Sequence, residues 1–421
     1  MEPLLLLAHR LPYPPNKGDK IRSFHLLKFL SRRYRVYLGA FVDDPADWRY
    51  ADTVRSYCAD SCLLPLHRRG ALVRSSPALL TGEALTPRFY GDRRMGQWVA
   101  RTLADTGASR VLAFSAAMAR FLVPPSVPGV RLVTDFVDVD SDKWAQYGQR
   151  KGALGGWIYR REGRRLLGFE RRVAAASAAA MFVSRAEADL FSRLAPEAID
   201  RVTWVENGVD TDYFTPAPWL RDPYPQGTAP LVFTGAMDYW PNIDAVDWFA
   251  RRVFPRIRAQ WPQARFFVVG ARPTETVRQL QGVQGVTVTG GVTDIRPYLA
   301  HARLAVAPMR VARGIQNKVL EAMAMGRPVL ATAKALEGLE LPEGGRLQAD
   351  SEEALVDQAL AVLADGPNRG EHNRAWVQQR YAWDSHLAHV AELLDGRPGL
   401  RGGPVRDAPH TEEMPHVVGG A

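Results

Sequence analysis

The sequence predicts an α/β protein built as two Rossmann-like α/β/α domains, each a parallel sheet flanked by helices, and three observations carry that prediction. The first is length: 421 residues exceed one ordinary domain and suit two of roughly 200, each able to bury its own core. The second is residues 304–332, L-A-V-A-P-M-R-V-A-R-G-I-Q-N-K-V-L-E-A-M-A-M-G-R-P-V-L-A-T. Its apolar run 304–307 stops at Pro308, residues 315–325 have helical spacing with Gly326 at the end, and 328–332 is apolar and partly β-branched. Strand, loop, helix and strand make one βαβ unit. The third is the chain's start, where an apolar strand (4–8), a loop (9–18) and a helix (19–31) open a second sheet.

Taken in order, Pro12, Pro14 and Pro15 exclude helix from the first loop, and Asp19 suits the N-cap of the helix that carries Ile21, Phe24 and Leu27. Asn16, Lys17 and Gly18 read as turn chemistry, and Gly18 would also let a phosphate or acceptor approach the backbone closely. Residues 35–41, 111–114 and 131–136 are further strands. Asp135, Asp138 and Asp140 gather at the end of the last, where a carboxylate can face a ligand or cap the next helix. Residues 157–172 form a helix, 178–183 a small-residue strand with Ser184 capping the helix after it, and 201–205 the last strand of the first domain.

Residues 217–230, broken by Pro218, Pro223, Pro225 and Pro230, read as the interdomain linker. The second domain restarts with strand 231–234, Gly235 and a helix over 242–253, followed by strands 265–270 and 286–290. Helices are predicted at 352–363 and 376–394. From 395 on, glycine, proline and scattered charge without apolar period predict a disordered tail.

The net charge of +9 is concentrated: residues 143–172 hold nine Lys and Arg against Glu162 and Glu170, which points to an anionic partner without naming it. In that segment Trp157, Tyr159 and the arginines suit either an interfacial helix on anionic lipid or a packed helix turning Ile158, Leu166, Phe169 and Val173 inward. Cys58 and Cys62, the only cysteines, have no histidine cluster beside them and read as reduced thiols. No metal ligand set is evident, and His410 and His416 in the tail read as solvated. The start lacks a basic n-region and no apolar run reaches the length of a membrane span, so a cytoplasmic protein is expected.

The chemistry lies in the loop and helix of the 304–332 unit. Ligands of parallel sheets bind at the carboxyl ends of strands, where a helix N-terminus offers free N–H groups to an anion. Arg310 and Arg313 lie in that loop, and Lys318 follows in the first helical turn. Glu321 stands one turn deeper on the same face, suited to accept hydrogen bonds from both hydroxyls of a ribose. A solvated surface pair would have the same spacing.

The stretch G-I-Q-N-K-V-L-E-A-M-A-M-G-R-P-V-L-A-T closely resembles the nucleotide-sugar motif of the retaining glycosyltransferase family 4. The resemblance implies the GT-B fold, with two Rossmann-like domains facing each other across a cleft. It also implies that Glu321 binds the donor ribose, that Lys318 contacts the diphosphate, and that Gly314 and Ile315 open the motif. The family's usual first glutamate of the motif is replaced here by Arg313. The loop after Gly235 lacks the family's basic residue, so phosphate charge would fall to Lys318, Arg310 or backbone amides. The loop holding Val292 and Thr293 matches the turn that contacts the base. The first loop, with Asn16, Lys17 and Gly18, resembles the family's glycine-containing acceptor loop.

D-F-V-D-V-D-S-D-K-W, the proline-rich first loop and T-G-A-M-D-Y-W-P-N resemble a narrower group, the sugar transferases of PEP-CTERM/exosortase exopolysaccharide loci. In family terms Asp138 takes the catalytic position facing the sugar. The implied domains are 1–216 for acceptor, 217–230 as linker, 231–378 for nucleotide sugar, and 379–394 as a helix returning to the first domain.

The expected reaction moves a hexose from a nucleotide diphosphate sugar, with retention and without metal or other cofactor. The implied acceptor is a polyprenyl-diphosphate-linked saccharide at the inner membrane surface. A nucleotide-sugar epimerase of the same fold is the alternative enzyme. A nucleic-acid-binding protein is the non-enzyme alternative, but no common nucleic-acid module is apparent and no nucleic acid is expected as partner.

Overall fold

The computed structural model describes residues 1–15, 18–123, 128–149, 153–312, 315–341, 347–365 and 370–396. The chain divides into two compact units, Met1–Val205 with the chain from His389, and Glu206–Ala388. The predicted tail lies outside the described residues from 397 onward.

The first unit has a seven-stranded sheet of β1 (Pro3–Ala8), β2 (Arg35–Val42), β3 (Asp60–Pro65), β4 (Arg110–Phe114), β5 (Arg131–Val137), β6 (Ala179–Phe182) and β7 (Val202–Trp204). Its order is β3-β2-β1-β4-β5-β6-β7, and every pairing is parallel. β1 is covered on both faces, which is why Leu4 to Leu7 form an unbroken apolar run rather than an alternating one. The order reverses between β1 and β4, and that reversal opens a crevice at their carboxyl ends.

A buried ion pair ties the unit together. Arg22, on the helix Gly18–Ser31, donates from Nε to Asp135 of β5 at 2.7 Å and from Nη1 to the Val205 carbonyl at 2.8 Å, with both ionic side chains out of solvent. Asp135 is therefore removed from the carboxylate group expected at the strand end. Beyond it Val137 takes a left-handed φ of 67°, a strained conformation for a β-branched residue, and turns the chain toward Asp138.

The basic helix runs Ala153–Ala176 and is a packed helix: Leu166, Phe169 and Val173 are buried in the first core, while Trp157 stays exposed. Even Arg161, Glu162 and Glu170 are buried. Residues 60–93, which carry no sequence-based prediction, contain β3 and the short helices Arg68–Ser75, Ala78–Thr81 and Leu85–Phe89. Cys62 is in β3, and both cysteines are free thiols, Cys58 being pushed up to about 12 by burial.

The second unit repeats the topology with β8 (Ala229–Thr234), β9 (Ala264–Val269), β10 (Val286–Gly290), β11 (Leu304–Ala307), β12 (Val329–Ala331) and β13 (Leu347–Gln348). The order is β10-β9-β8-β11-β12-β13, again all parallel, and it reverses between β8 and β11. Phe233, Phe249, Phe254 and Phe266 fill its core. The helix predicted to stop at 253 continues instead as Trp240–Trp248, a π-helical turn Phe249–Val253 and Phe254–Gln260. Pro255, which has no N–H to give the preceding turn, accounts for the wider turn. Within the expected linker, Leu220 and Tyr224 are buried in this second core.

The predicted helix over 376–394 is two helices, Glu371–Arg380 and Trp383–Asp395. The second of these re-enters the first unit. Asp395 accepts from Tyr34 Oη and Arg110 Nε, both at 3.0 Å, and Arg131 Nε donates to the Leu393 carbonyl at 2.7 Å. Among the described residues no helix is long and apolar enough to cross a membrane.

Candidate functional site

At the reversal point of the second sheet, β8 ends at Thr234 and Gly235, and β11 at Ala307, Pro308 and Met309. Two backbone contacts make this end tight. A side chain on Gly235 would meet Asn242 Nδ2 at 2.7 Å, and one on Gly270 would overlap the Gly235 carbonyl. Thr332 Oγ1 donates to the Met309 carbonyl at 2.6 Å and fixes the loop after β11.

The helix Asn317–Ala324 begins above this end. Val319, Leu320, Ala322 and Met323 bury its inner face, Gly326 follows with φ of 69°, and Arg327 N donates to the Ala322 carbonyl at 3.0 Å, a glycine C-cap at the position predicted. Arg374 also donates to the Ala324 carbonyl, so the helix's last turn is held from a second helix.

Lys318 is thereby placed over the reversal point. Its Nζ donates to Asn242 Oδ1 at 2.6 Å, lies 4.4 Å from the Phe233 ring centroid, and is 3.6 Å from Met309 Sδ. Asn242 is itself buried and donates from Nδ2 to the Ala236 carbonyl at 2.9 Å. It thus links the ammonium to the loop after β8. Burial lowers the Lys318 ammonium to about 8, against the opposing pull of Glu321.

Glu321 lies one turn further along. Burial pushes its carboxyl up to about 7, with Lys318 acting the other way. Its carboxylate accepts a hydrogen bond from no described residue, and no salt bridge within 4.0 Å joins it to Lys318. A recessed carboxylate with free acceptor positions is suited to a ligand bearing hydroxyl donors.

Other residues singled out in the sequence fall elsewhere. Arg310 turns to the helix Trp240–Trp248, donating in bidentate fashion to Asp244 and lying 5.3 Å from the Trp248 ring centroid. Its charge is matched there by a carboxylate on the helix that also carries Asn242, the partner of Lys318. Val292 and Thr293 lie between β10 and the helix Arg296–His301, and Ile315 is half-buried just ahead of the motif helix. Arg313 and Gly314 lie outside the described residues, as do Asn16 and Lys17. Asn242 was not singled out for a role. It stands beside Gly235, in the first turn of a helix opened by Pro241, and nothing local in the sequence announces its contact with Lys318.

The first unit places a second polar cluster at its own reversal point. His9 follows β1, its ring stacks on Phe114 at 5.4 Å, and its Nε2 is 3.3 Å from Asp19 Oδ2. Arg10 bridges Asp19 at 2.7 Å and Asp43 at 3.0 Å. Burial opposes it, but His9 and Arg10 hold the Asp19 carboxyl well below the usual range. Gly18 is the first residue of the following helix. Asp138 accepts from Lys143 Nζ at 2.5 Å, and Asp140 lies 3.6 Å from the same ammonium. Burial raises the Asp140 carboxyl. The carboxylates at the end of β5 are thus divided between Arg22 and Lys143.

Residues 229–365 match the family described as Glycosyl transferases group 1. The GDP-mannose-dependent alpha-(1-6)-phosphatidylinositol monomannoside mannosyltransferase of Mycobacterium tuberculosis is 32% identical over 219 residues, 46% of this chain and 56% of the relative. The corresponding enzyme of Mycolicibacterium smegmatis is 27% identical over 55% of this chain and 65% of its own length. The chain thus spans a little over half the length of the curated relatives it matches.

Among solved structures, Anabaena HepE in complex with UDP superposes with a TM-score of 0.64 at 15% identity, covering 94% of this chain and 100% of that one. WaaG, a glycosyltransferase involved in lipopolysaccharide biosynthesis, gives 0.57 at 18% identity, covering 93% and 100%. The fold is therefore GT-B, and the segment that matches a glycosyltransferase family is the one that carries Lys318 and Glu321.

Proposed function

We propose that this chain is a glycosyltransferase that moves a hexose from a nucleotide diphosphate sugar to an acceptor hydroxyl with retention of anomeric configuration. The observation that carries the reading is the unpartnered, recessed Glu321 carboxylate one helical turn from Lys318, at the carboxyl ends of β8 and β11. Glu321 accepts from the two ribose hydroxyls. Lys318, oriented by Asn242, meets the diphosphate together with the N–H groups that open the helix Asn317–Ala324.

In the reaction the bond from the anomeric carbon to the phosphate oxygen breaks and a bond to the acceptor oxygen forms on the same face. The leaving diphosphate takes up the negative charge, which Lys318 and the helix N-terminus stabilise without metal, and it receives the acceptor proton. In this reading Asp138, which follows β5 and accepts from Lys143, takes the part of the residue that faces the sugar. The acceptor is a lipid-linked saccharide of exopolysaccharide synthesis, of the PEP-CTERM/exosortase kind, met at the inner face of the membrane. The relatives support this class, being named for a phosphatidylinositol-linked acceptor and for lipopolysaccharide synthesis.

The test is a thermal-shift panel of UDP-glucose, GDP-mannose and ADP-glucose on the wild type and on Glu321→Ala. One nucleotide class should stabilise the wild type by about 2.7 kcal/mol at 100 times its Kd, with the response lost in the variant. A folded wild type that responds to none of them would sink the reading.

A further inference from the structure

The loop after β8 is tied down residue by residue. The Ala236 carbonyl accepts from Asn242 Nδ2 at 2.9 Å. Met237 is fully buried, its N–H donates to the Ala271 carbonyl at 2.9 Å, and its carbonyl accepts from the Thr274 N–H at 3.3 Å. Asp238 accepts from both ends of the Arg272 guanidinium, at 2.6 and 3.3 Å, and Arg272 reaches it from a left-handed φ of 53°, uncommon for a residue with a side chain. The Tyr239 carbonyl accepts from the N–H groups of Asn242 at 2.9 Å and Ile243 at 3.1 Å.

This anchoring presents two aromatic rings to solvent. Tyr239 is 55% exposed and Trp240 56%. Neither side chain makes a hydrogen bond, ion pair or ring contact with a described residue. One such ring on a surface is ordinary, but here two in succession stand on a pinned loop at the reversal point of a parallel sheet, where ligands bind.

Helical spacing says where Trp240 stands. It opens the helix Trp240–Trp248 one turn before Asp244, and residues four apart share a face. That face receives Arg310 from the loop after β11, on Asp244 and beside the Trp248 ring. Side chains lean toward the helix N-terminus, which carries Trp240 toward the mouth of the crevice between the loops after β8 and β11. Asn242, two residues on, holds Lys318.

The surroundings select a ligand. The rings are flanked by two carboxylates whose charge is already matched, Asp238 by Arg272 and Asp244 by Arg310, and both stay partly open to solvent. Matched charge offers no attraction to anionic lipid, and two rings fall far short of the roughly 800 Å² a side that a stable protein interface buries. An aromatic face beside carboxylates with spare lone pairs suits a pyranose, which has an apolar face of C–H groups and a rim of hydroxyl donors.

We propose that Tyr239 and Trp240 form a stacking platform for a hexopyranose ring at the mouth of the crevice that holds Lys318 and Glu321. The proposal rests on the nucleotide-sugar reading of that crevice and names its saccharide contact. The ring arrives on the nucleotide donor or on the acceptor, and experiment separates the two sources.

The test is titration calorimetry with UDP, UDP-glucose, GDP and GDP-mannose, and with maltotetraose and mannotetraose on protein loaded with the nucleoside diphosphate that binds. The proteins are the wild type, Tyr239→Ala/Trp240→Ala and the ring-keeping Tyr239→Phe/Trp240→Phe. The alanine variant should bind the nucleoside diphosphate like the wild type and lose on the order of tenfold toward a saccharide-bearing ligand. The phenylalanine variant should regain most of that loss. A loss confined to the nucleotide sugar assigns the ring to the donor, and one confined to the tetrasaccharide assigns it to the acceptor. Both variants should melt like the wild type, because the replaced rings are exposed.

Equal affinities of wild type and alanine variant for every ligand overturn the proposal. So does an equal loss toward nucleoside diphosphate and nucleotide sugar, which would make the rings part of the nucleotide site. Self-association, or pelleting with phosphatidylglycerol vesicles, that the alanine variant alone loses would assign the rings to a second copy or to lipid and equally overturn it. A wild type that binds no nucleoside diphosphate fails the proposed function, and the platform with it. Binding of the nucleoside diphosphate without a saccharide difference between the proteins fails the platform alone.

Discussion

The two units share one topology and differ in how they treat charge at the reversal point of the sheet. In the first, every carboxylate is spoken for: Asp135 by Arg22, Asp19 by His9 and Arg10, Asp43 by Arg10, and Asp138 by Lys143. In the second, Lys318 is held by a neutral amide and Glu321 by nothing among the described residues. A fold that repeats itself can therefore be locked by internal ion pairs at one crevice and left with open valences at the other. The open crevice is the one prepared to exchange solvent for ligand.

The contrast can be broken at either crevice. The largest effect belongs to the locked one. Asp135→Ala removes the carboxylate that faces the buried Arg22 and should cost about 3–5 kcal/mol in a denaturant melt, because a buried charge loses its counter-ion. A loss under about 1 kcal/mol would mean that the remaining partners of the guanidinium, the Val205 carbonyl among them, satisfy it.

Glu321→Ala should act the other way round. Its ligand-free melt should not fall, since an unpartnered carboxylate leaves a recess, while the stabilisation of about 2.7 kcal/mol at saturating nucleotide sugar disappears. A ligand-free melt several degrees lower would show Glu321 to be structural. Asn242→Ala removes the partner of Lys318 and the tie to Ala236 and should weaken nucleotide-sugar binding by about 1–3 kcal/mol. Titration calorimetry would read this directly.

The pair also has a pH signature. A carboxyl raised from 4.5 to about 7 keeps its proton longer in the folded chain, so its contribution to stability falls as pH rises between those values. An ammonium lowered from 10.5 to about 8 releases its proton sooner, so its contribution rises with pH between about 8 and 10.5. Nucleotide sugar prefers the carboxylate and the ammonium. Its affinity should therefore peak between about 7 and 8, with proton release by Glu321 on the acid side that calorimetry in two buffers detects. Flat affinity from pH 6 to 9 would contradict this. The smallest effect is expected of Arg310→Ala: its pair with Asp244 is half-exposed and worth about 0–1 kcal/mol, and binding should hardly change.

The same contrast governs what the sequence discloses. Unbroken apolar runs such as Leu4 to Leu7, and the Gly326 that ends the motif helix, announce strands and caps because the local pattern and the final burial agree. Lys318 and Glu321 are legible because helical spacing alone puts them on one face. The pairing of Arg310 is not legible, because nothing local says that Asp244, far along the chain, will take its charge. Asn242 was passed over for the same reason, its role arising only when β8 and the motif helix meet. Residues 60–93 resist reading because Leu72 and Leu80 are exposed while buried Arg161 and Glu162, on the distant helix Ala153–Ala176, hold the backbone at Ala78, Leu85 and Thr86.

The return of the last helix to the first unit bears on biosynthesis. Tyr34 donates to Asp395, Arg131 to the Leu393 carbonyl, and Arg110 is shared between Glu2 and Asp395. A nascent chain that has completed all seven strands of the first sheet must therefore wait through the translation of the whole second unit before that sheet acquires its clasp. A stop codon just before His389 would leave both sheets encoded but remove the Leu393 and Asp395 partners of the first.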